Sequence, residues 1–338
     1  MDSLNDPIVT WFPWVRFLGA DITIPTGVPQ ELGMLGFADR LFEKTKKAKT
    51  PLCVGLDPRW EQIPLAIRKP FGGAVPESLA AVAGAYESFC GRVLELVSDR
   101  VGVVKFQAAF FEQCGHHGFA ALERLLLKST QLGLFTILDG KRNDIASTAS
   151  AYAEAAFGGA SFGGKKFGVW SADAITVSPY LGTDGIEPFV SQARSLSCGI
   201  FVLVRTSNPG AGLFQDMVSS GEKLYRHVAR VVESLNLVAA GSSGYGDVGA
   251  VVGATYPSEI NELRVLMPRT IFLVPGFGAQ GAGAKELAGA FRADGSGAII
   301  NNGRAITFAA KPDQMDWENP LVRACEKAKA ELAEVCSL

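Results

Sequence analysis

Residues 139–144 read Asp-Gly-Lys-Arg-Asn-Asp and follow directly on the largely apolar run 134–138. Two readings compete for four charges placed there. Connecting loops lie on the surface, and a charge run is usually a solvated turn. Alternatively, positions two apart on a strand face the same side, so Asp139 and Lys141 would project together. A lysine ammonium beside a carboxylate that cannot move away is a device for stabilising negative charge as it develops in a reaction. Lys105, near the end of the apolar run "VGVVKFQ", can approach the same pair if its strand is adjacent. Burying one ion alone is prohibitive, but alternating Lys and Asp partners favour each other's charged forms, so such an array stays ionised at neutral pH.

Other functional groups fall at the ends of similar runs. Asp57 closes "PLCVGLD", Thr206, Ser207 and Asn208 follow "GIFVLVR", Gln280 lies in "PGFGAQGAG", and Arg304 follows "NNG". The glycine-rich residues 276–283 and Gly303 offer backbone amides, and Arg304 a fork-shaped donor, which together suit a phosphate. Taken alone, Gly276 and Gly278 suit a tight turn equally well.

Positioning these groups requires strands that end side by side. The candidate strands are residues 51–57, 101–107, 134–140, 174–179, 199–207, 247–255, 270–276 and 297–303. Helical spacing marks 76–99, with Leu79, Val82, Ala83, Tyr86, Phe89, Val93 and Val97 on one face and Pro76 at its start. Further helices are expected over 117–131, 144–157, 185–195, 215–236, 257–266, 284–292 and 318–335. Continuous apolar strands indicate a parallel sheet buried on both faces. An eightfold alternation of strand and helix predicts an α/β fold of the TIM (β/α)8 barrel type, a single domain over 34–338. A doubly wound open sheet competes, but "GLDPRW" after the first strand is no phosphate turn, and the glycine-rich insert 156–168 reads as a loop. In a barrel, chemistry sits at the C-terminal strand ends, where these polar residues fall.

The chain of 338 residues has a net charge of −2, which gives no electrostatic case for nucleic acid or an anionic membrane. Its six cysteines show no Cys-x-x-Cys spacing and its three histidines make no metal-ligand set, so reduced thiols in a cytoplasmic protein are expected. Residues 1–33 form an N-terminal extension of unassigned role. Their apolar stretch is broken by Pro13 and Arg16 and is too short to span a bilayer. Asp2 and Asp6 speak against a signal peptide.

Six blocks, "CVGLDPR", "VVKFQAAFFE", "DGKRNDIAST", "VRTSNPG", "LVPGFGAQGAG" and "NNGRAI", resemble the orotidine 5′-phosphate decarboxylase family in wording and order. Several are similar to its longer bacterial branch, and the likeness runs over roughly residues 37–335. The resemblance implies cofactor-free decarboxylation of orotidine 5′-monophosphate (OMP) to UMP in pyrimidine synthesis, by a homodimer with shared active sites. It implies that Lys141 stabilises and then protonates C6 of the pyrimidine, that Asp139 sits against the substrate carboxylate, and that Lys105 joins the charged network and contacts ribose. Asp57 would bind ribose, Ser207 the pyrimidine amide edge, Gln280 both pyrimidine and phosphate from a closing loop, and Arg304 the phosphate. Asp144 and Thr148 would reach the neighbouring subunit's substrate. The N-terminal extension and the insert 156–168 depart from the family pattern.

Three rivals remain. Mg²⁺-dependent sugar-phosphate enzymes, a keto-gulonate phosphate decarboxylase or a hexulose phosphate synthase, share the Asp-x-Lys-x-x-Asp frame. They carry an acid two positions before the first Asp, where this chain has Ile137. An aldolase-type barrel would use Lys141 or Lys105 as a Schiff-base amine, which needs a lowered lysine pKa, and flanking aspartates act the other way. A non-catalytic phosphate-binding barrel would not need the charged array. Arg142 reads as an ordinary solvated charge, His116 and His117 as residues that cap or flank a helix, His227 as a residue within one, Trp170 and Trp317 as packing, and Gln107 as a candidate pocket residue.

Overall fold

Eight parallel strands close into a barrel: β1 (Leu52–Leu56), β2 (Val103–Gln107), β3 (Phe135–Arg142), β4 (Ala174–Val177), β5 (Gly199–Arg205), β6 (Val248–Val252), β7 (Phe272–Pro275) and β8 (Ala298–Asn302), with β8 pairing back to β1. The computed structural model describes residues 35–237, 241–254, 257–278 and 283–336. The expected extension 1–33 and Gln280 lie outside them. Closure decides against the open doubly wound sheet. All eight expected strands are found.

Helices cover the outside: α1 (Phe37–Ala48), α2 (Leu79–Val97), α3 (Gly115–Gln131), α4 (Ala146–Phe157), α5 (Glu187–Ser195), α6 (Leu224–Asn236), α7 (Pro257–Leu266) and α8 (Glu318–Ala333). A 3-10 helix, Ala284–Ala290, follows β7 where an α-helix was expected over 284–292. Helix α2 begins later than Pro76 suggested, because the Ser78 hydroxyl accepts from the Ala81 amide at 3.1 Å and fixes the first turn there. Its Leu79 is consequently exposed rather than on the buried face. The helix expected over 215–236 is divided: Gln215 ends a short helix, Gly212–Gln215, a hairpin of Val218–Ser219 with Glu222–Lys223 follows, and α6 makes up the rest. The insert 156–168 is a hairpin too, pairing Ala160–Phe162 with Lys165–Phe167. Gly163 and Gly164 both take positive φ at its turn, a conformation that favours glycine.

The strands alternate between two cores. Leu138, Val54, Ile200 and Val248 pack outward against the helices. Cys53, Val103, Phe135, Ile137, Ala174, Phe201, Val251, Ile271, Leu273 and Ile299 fill the bore. The bore is closed at its N-terminal end by α1, which was not foreseen from the sequence. Phe37 meets Phe135 and Phe201 edge-on at 5.6 and 6.0 Å between ring centroids. Gly199 is glycine because a Cβ there would lie 2.5 Å from the Phe37 ring. The Asp39 carboxylate ties α1 down by accepting from the amides of Ser242 and Ser243 at 3.0 and 2.8 Å.

Candidate active site

The C-terminal end of the bore is polar. Strand register puts Gln107 level with Asp139 and Lys105 level with Ile137, so Lys105 rises beside the Asp139 carboxylate. Lys105 Nζ donates to Asp139 Oδ2 at 2.7 Å, and Lys141 Nζ donates to Oδ1 at 2.6 Å. Gln107 Nε2 adds a bond to Oδ2 at 3.1 Å, and the Thr176 hydroxyl one to Oδ1 at 2.9 Å. The carboxylate therefore accepts two donors on each oxygen.

Lys105 and Asp139 are both buried, and burial alone would neutralise them. Each holds the other ionised instead. Burial pushes the Asp139 carboxyl up, but the charges of Lys105 and Lys141 and their hydrogen bonds hold it well below the ordinary carboxylate range. Burial pushes Lys105 down, while Asp139 and Asp57 outweigh it and raise its pKa. Asp57 lies 3.8 Å from the Lys105 ammonium. Lys141 differs from Lys105 in access, since its side chain is 46 % exposed at the cavity mouth.

Asp139 and Lys141 do converge, but not through regular strand alternation. Between Leu138 and Arg142 the register of β3 against β4 slips, and Lys141 takes φ 43°. That is the left-handed region, rare for a residue with a Cβ. A bulge next to a site re-aims a side chain, and here it turns Lys141 over Asp139. Ala146, at the start of α4, is also at positive φ, 46°.

A cavity of about 470 Å³ opens over the array, within the usual range for a small-molecule site. Asp57, Lys105, Asp139, Lys141, Ser207, Gly303 and Arg304 line it together, with Gln107, Thr206, Asn208 and Gly276, which the sequence also offered. Asp144 and Thr148 are not among its lining residues. Asp144 Oδ1 accepts from the Ile145 amide at 2.9 Å, and Thr148 is exposed on the first turn of α4. Arg142 is a correction. It is not a free solvated charge: it pairs with Glu112 and lies over the Tyr152 ring at 5.5 Å from the centroid. Trp170 stacks on Phe119, Trp317 packs on Phe89 and His227 lies in α6, as read from the sequence, whereas His116 and His117 lie inside the first turn of α3 rather than capping or flanking it. Thr176, Gln215 and Asn301 line the cavity without having been singled out. Thr176 carried a signal: it is the one hydroxyl in "AITV", two positions after Ala174 and so on the bore face. Gln215 carried none: it was expected to open the helix 215–236, whereas it ends a separate short helix, Gly212–Gln215, from which its side-chain amide donates to the Thr206 hydroxyl at 2.7 Å.

The family model described as "Orotidine 5′-phosphate decarboxylase / HUMPS family" matches residues 50–315. The chain is 46% identical over 294 residues to the orotidine 5′-phosphate decarboxylase of Rhodopirellula baltica, covering 85% of this chain and 95% of that one. The chain belongs to the orotidine 5′-phosphate decarboxylase family. That of Caldicellulosiruptor bescii is 41% identical, over 82% of this chain and 91% of the relative. Among solved structures, Leishmania donovani OMP decarboxylase superposes with a TM-score of 0.68 at 33% identity, covering 89% and 98% of the two chains. As a decarboxylase of this family, the enzyme is a carboxy-lyase. Ile137 sits fully buried in the bore two residues before Asp139, where the Mg²⁺-dependent rivals need an acid. Among the described residues, no group of three or more His, Cys, Asp or Glu is placed to hold a metal ion, and no helix is long and apolar enough to cross a membrane.

Proposed function

We propose that Lys141, with Asp139 and Lys105, is the reacting centre for decarboxylation of OMP to UMP and CO₂. The C6–carboxyl bond breaks with its electron pair left in an sp² orbital on C6, orthogonal to the ring π-system and unable to spread into it. The Lys141 ammonium offsets that charge at close range, then transfers a proton to C6. The access of its side chain to the cavity mouth suits recovery of a proton from solvent. Asp139, fixed by four donors, cannot retreat from an incoming substrate carboxylate. The observation that carries this reading is the pair of contacts at 2.7 and 2.6 Å that bind Lys105 and Lys141 to one buried carboxylate inside the cavity.

The rest of the cavity suits the rest of the nucleotide. Arg304, Gly303 and the residue 276–283 stretch with Gln280 would hold the phosphate, and this remote grip supplies binding energy that positions the ring. Asp57 Oδ1 is buried without a hydrogen-bond partner among the described residues, which suits it to a ribose hydroxyl. Ser207 would meet the pyrimidine amide edge. Gly253 leaves it room, since a Cβ there would lie 2.9 Å from that of Ser207. Six buried free cysteines support a reducing, cytoplasmic setting.

Asp144 and Thr148, outside the cavity of their own subunit, serve the partner's site in a homodimer. Subunit mixing tests this. Lys141→Ala and Asp144→Ala enzymes should each be nearly inactive. An equal mixture after subunit exchange should recover about one quarter of wild-type specific activity, because half the dimers then hold one intact site of two. No recovery, with exchange shown by labelled subunits, contradicts sharing.

A further inference from the structure

We infer that Thr176 is a positioning residue for the reaction, holding the backbone of Lys141 and the carboxylate of Asp139 in one fixed relation. The inference rests on Lys141 acting at C6. The Thr176 side chain is nearly fully buried at the end of β4. Its Oγ1 accepts from the Lys141 backbone amide at 2.9 Å and donates to Asp139 Oδ1 at 2.9 Å. The direction of both bonds is fixed by chemistry. An amide N–H can only donate and an ionised carboxylate can only accept, so the single hydroxyl proton must point to Asp139. Such a chain of N–H, O–H and carboxylate reinforces itself, each bond polarising the next.

The backbone explains why this bond is needed. The register slip between Leu138 and Arg142 takes Lys141 out of the β3–β4 ladder. The Thr176 side chain takes the Lys141 amide instead of a strand carbonyl. Lys141 also sits at φ 43°, a conformation unfavourable for such a residue that persists only where its surroundings impose it. The ammonium of Lys141 is anchored to Asp139 Oδ1, the same oxygen that Thr176 holds. One hydroxyl thus fixes both ends of the lysine: its main chain directly, and its charged tip through the shared carboxylate. Without it the backbone is free to relax toward negative φ and swing the ammonium off the reacting carbon, while Lys105 keeps Asp139 charged and Gln107 keeps it hydrogen-bonded.

The test uses the full-length enzyme and three variants assayed for OMP decarboxylation. Thr176→Val keeps the shape and removes the hydroxyl, Thr176→Ser keeps the hydroxyl, and Lys141→Ala reports on the underlying reading. Thr176→Val should lower kcat by about 10- to 100-fold, the size of one hydrogen bond to a charged group, with KM for OMP within about threefold of wild type. Thr176→Ser should stay within about threefold of wild type in kcat. Wild-type kcat in Thr176→Val beside a nearly inactive Lys141→Ala overturns the positioning role and leaves the lysine reading standing. Near-normal turnover in Lys141→Ala overturns both. Equal losses in the Val and Ser variants, or a Val variant altered in KM alone, show that the hydroxyl does not set the lysine and also overturn the inference. Should Thr176→Val fail to fold, Thr176→Ala removes the same hydroxyl and carries the test.

Discussion

At the N-terminal end of the bore, Phe37 presses its ring edge-on against Phe135 and Phe201, while at the C-terminal end Lys105 and Lys141 grip Asp139. The same strand, β3, supplies both ends, with Phe135 and Ile137 below Asp139. The lower end is held by non-directional contact, so what matters is volume and exclusion of water. In the upper end each ion is tolerable only because its neighbours are there. A lesion at the lower end is therefore expected to cost stability alone, and one at the upper end both stability and turnover.

Mutations at the two ends can break this contrast. Asp139→Asn should have the largest combined effect. It leaves two lysine ammoniums without their shared carboxylate, and kcat should fall at least about 10³-fold, since charge stabilisation and proton transfer are both disturbed. Its unfolding free energy should fall by about 3 kcal/mol, because buried Lys105 loses its main partner. Chemical denaturation and steady-state assays of the one variant read both. Phe37→Ala should lose about 3 kcal/mol of stability by leaving a cavity under the barrel, yet keep kcat within about twofold. A comparable loss of turnover in Phe37→Ala would show that the ends are not separable.

Acid sharpens the comparison through the Asp139 carboxyl, which Phe37→Ala leaves intact. The Asp139 carboxyl is depressed in the folded protein, whereas in the unfolded chain it titrates near its ordinary value of about 4. A depressed carboxyl contributes stability above its unfolded pKa and loses it as pH falls toward the folded value. Wild type should thus lose stability more steeply below about pH 4 than Asp139→Asn, the two curves converging, while Phe37→Ala should run parallel to wild type. Urea unfolding at a series of pH values measures the slopes. Parallel curves for wild type and Asp139→Asn would show that the array contributes nothing to acid sensitivity.

The legibility of the sequence follows the same division. The barrel strands could be read because apolar β-branched runs need no partner to be recognised. Lys105, Asp139, Asp57, Ser207 and Arg304 could be placed because each ends such a run, and a barrel brings those ends together. Helix α1 was missed because its role is tertiary: Phe37, Ala38 and Leu41 make sense only against the open lower end of the bore. The route by which Lys141 reaches Asp139 was misread, because a two-residue period cannot show a bulge or a positive φ. Arg142 was misassigned for a related reason, since its partner Glu112 is thirty positions away in sequence. Gln215 was missed because the helix expected over 215–236 is broken just after it: Gln215 ends a short helix, Gly212–Gln215, and a hairpin separates that helix from α6.

The most direct test is the turnover of OMP by Lys141→Ala, followed as loss of substrate absorbance with EDTA present and compared with wild type. Lys141 is half-exposed at the cavity mouth, so its removal should leave the unfolding midpoint within about 2 °C of wild type. Wild type should turn over undiminished by EDTA, and the variant should be slower by about 10⁴-fold or more. A folded Lys141→Ala enzyme working at near wild-type rate would contradict the account.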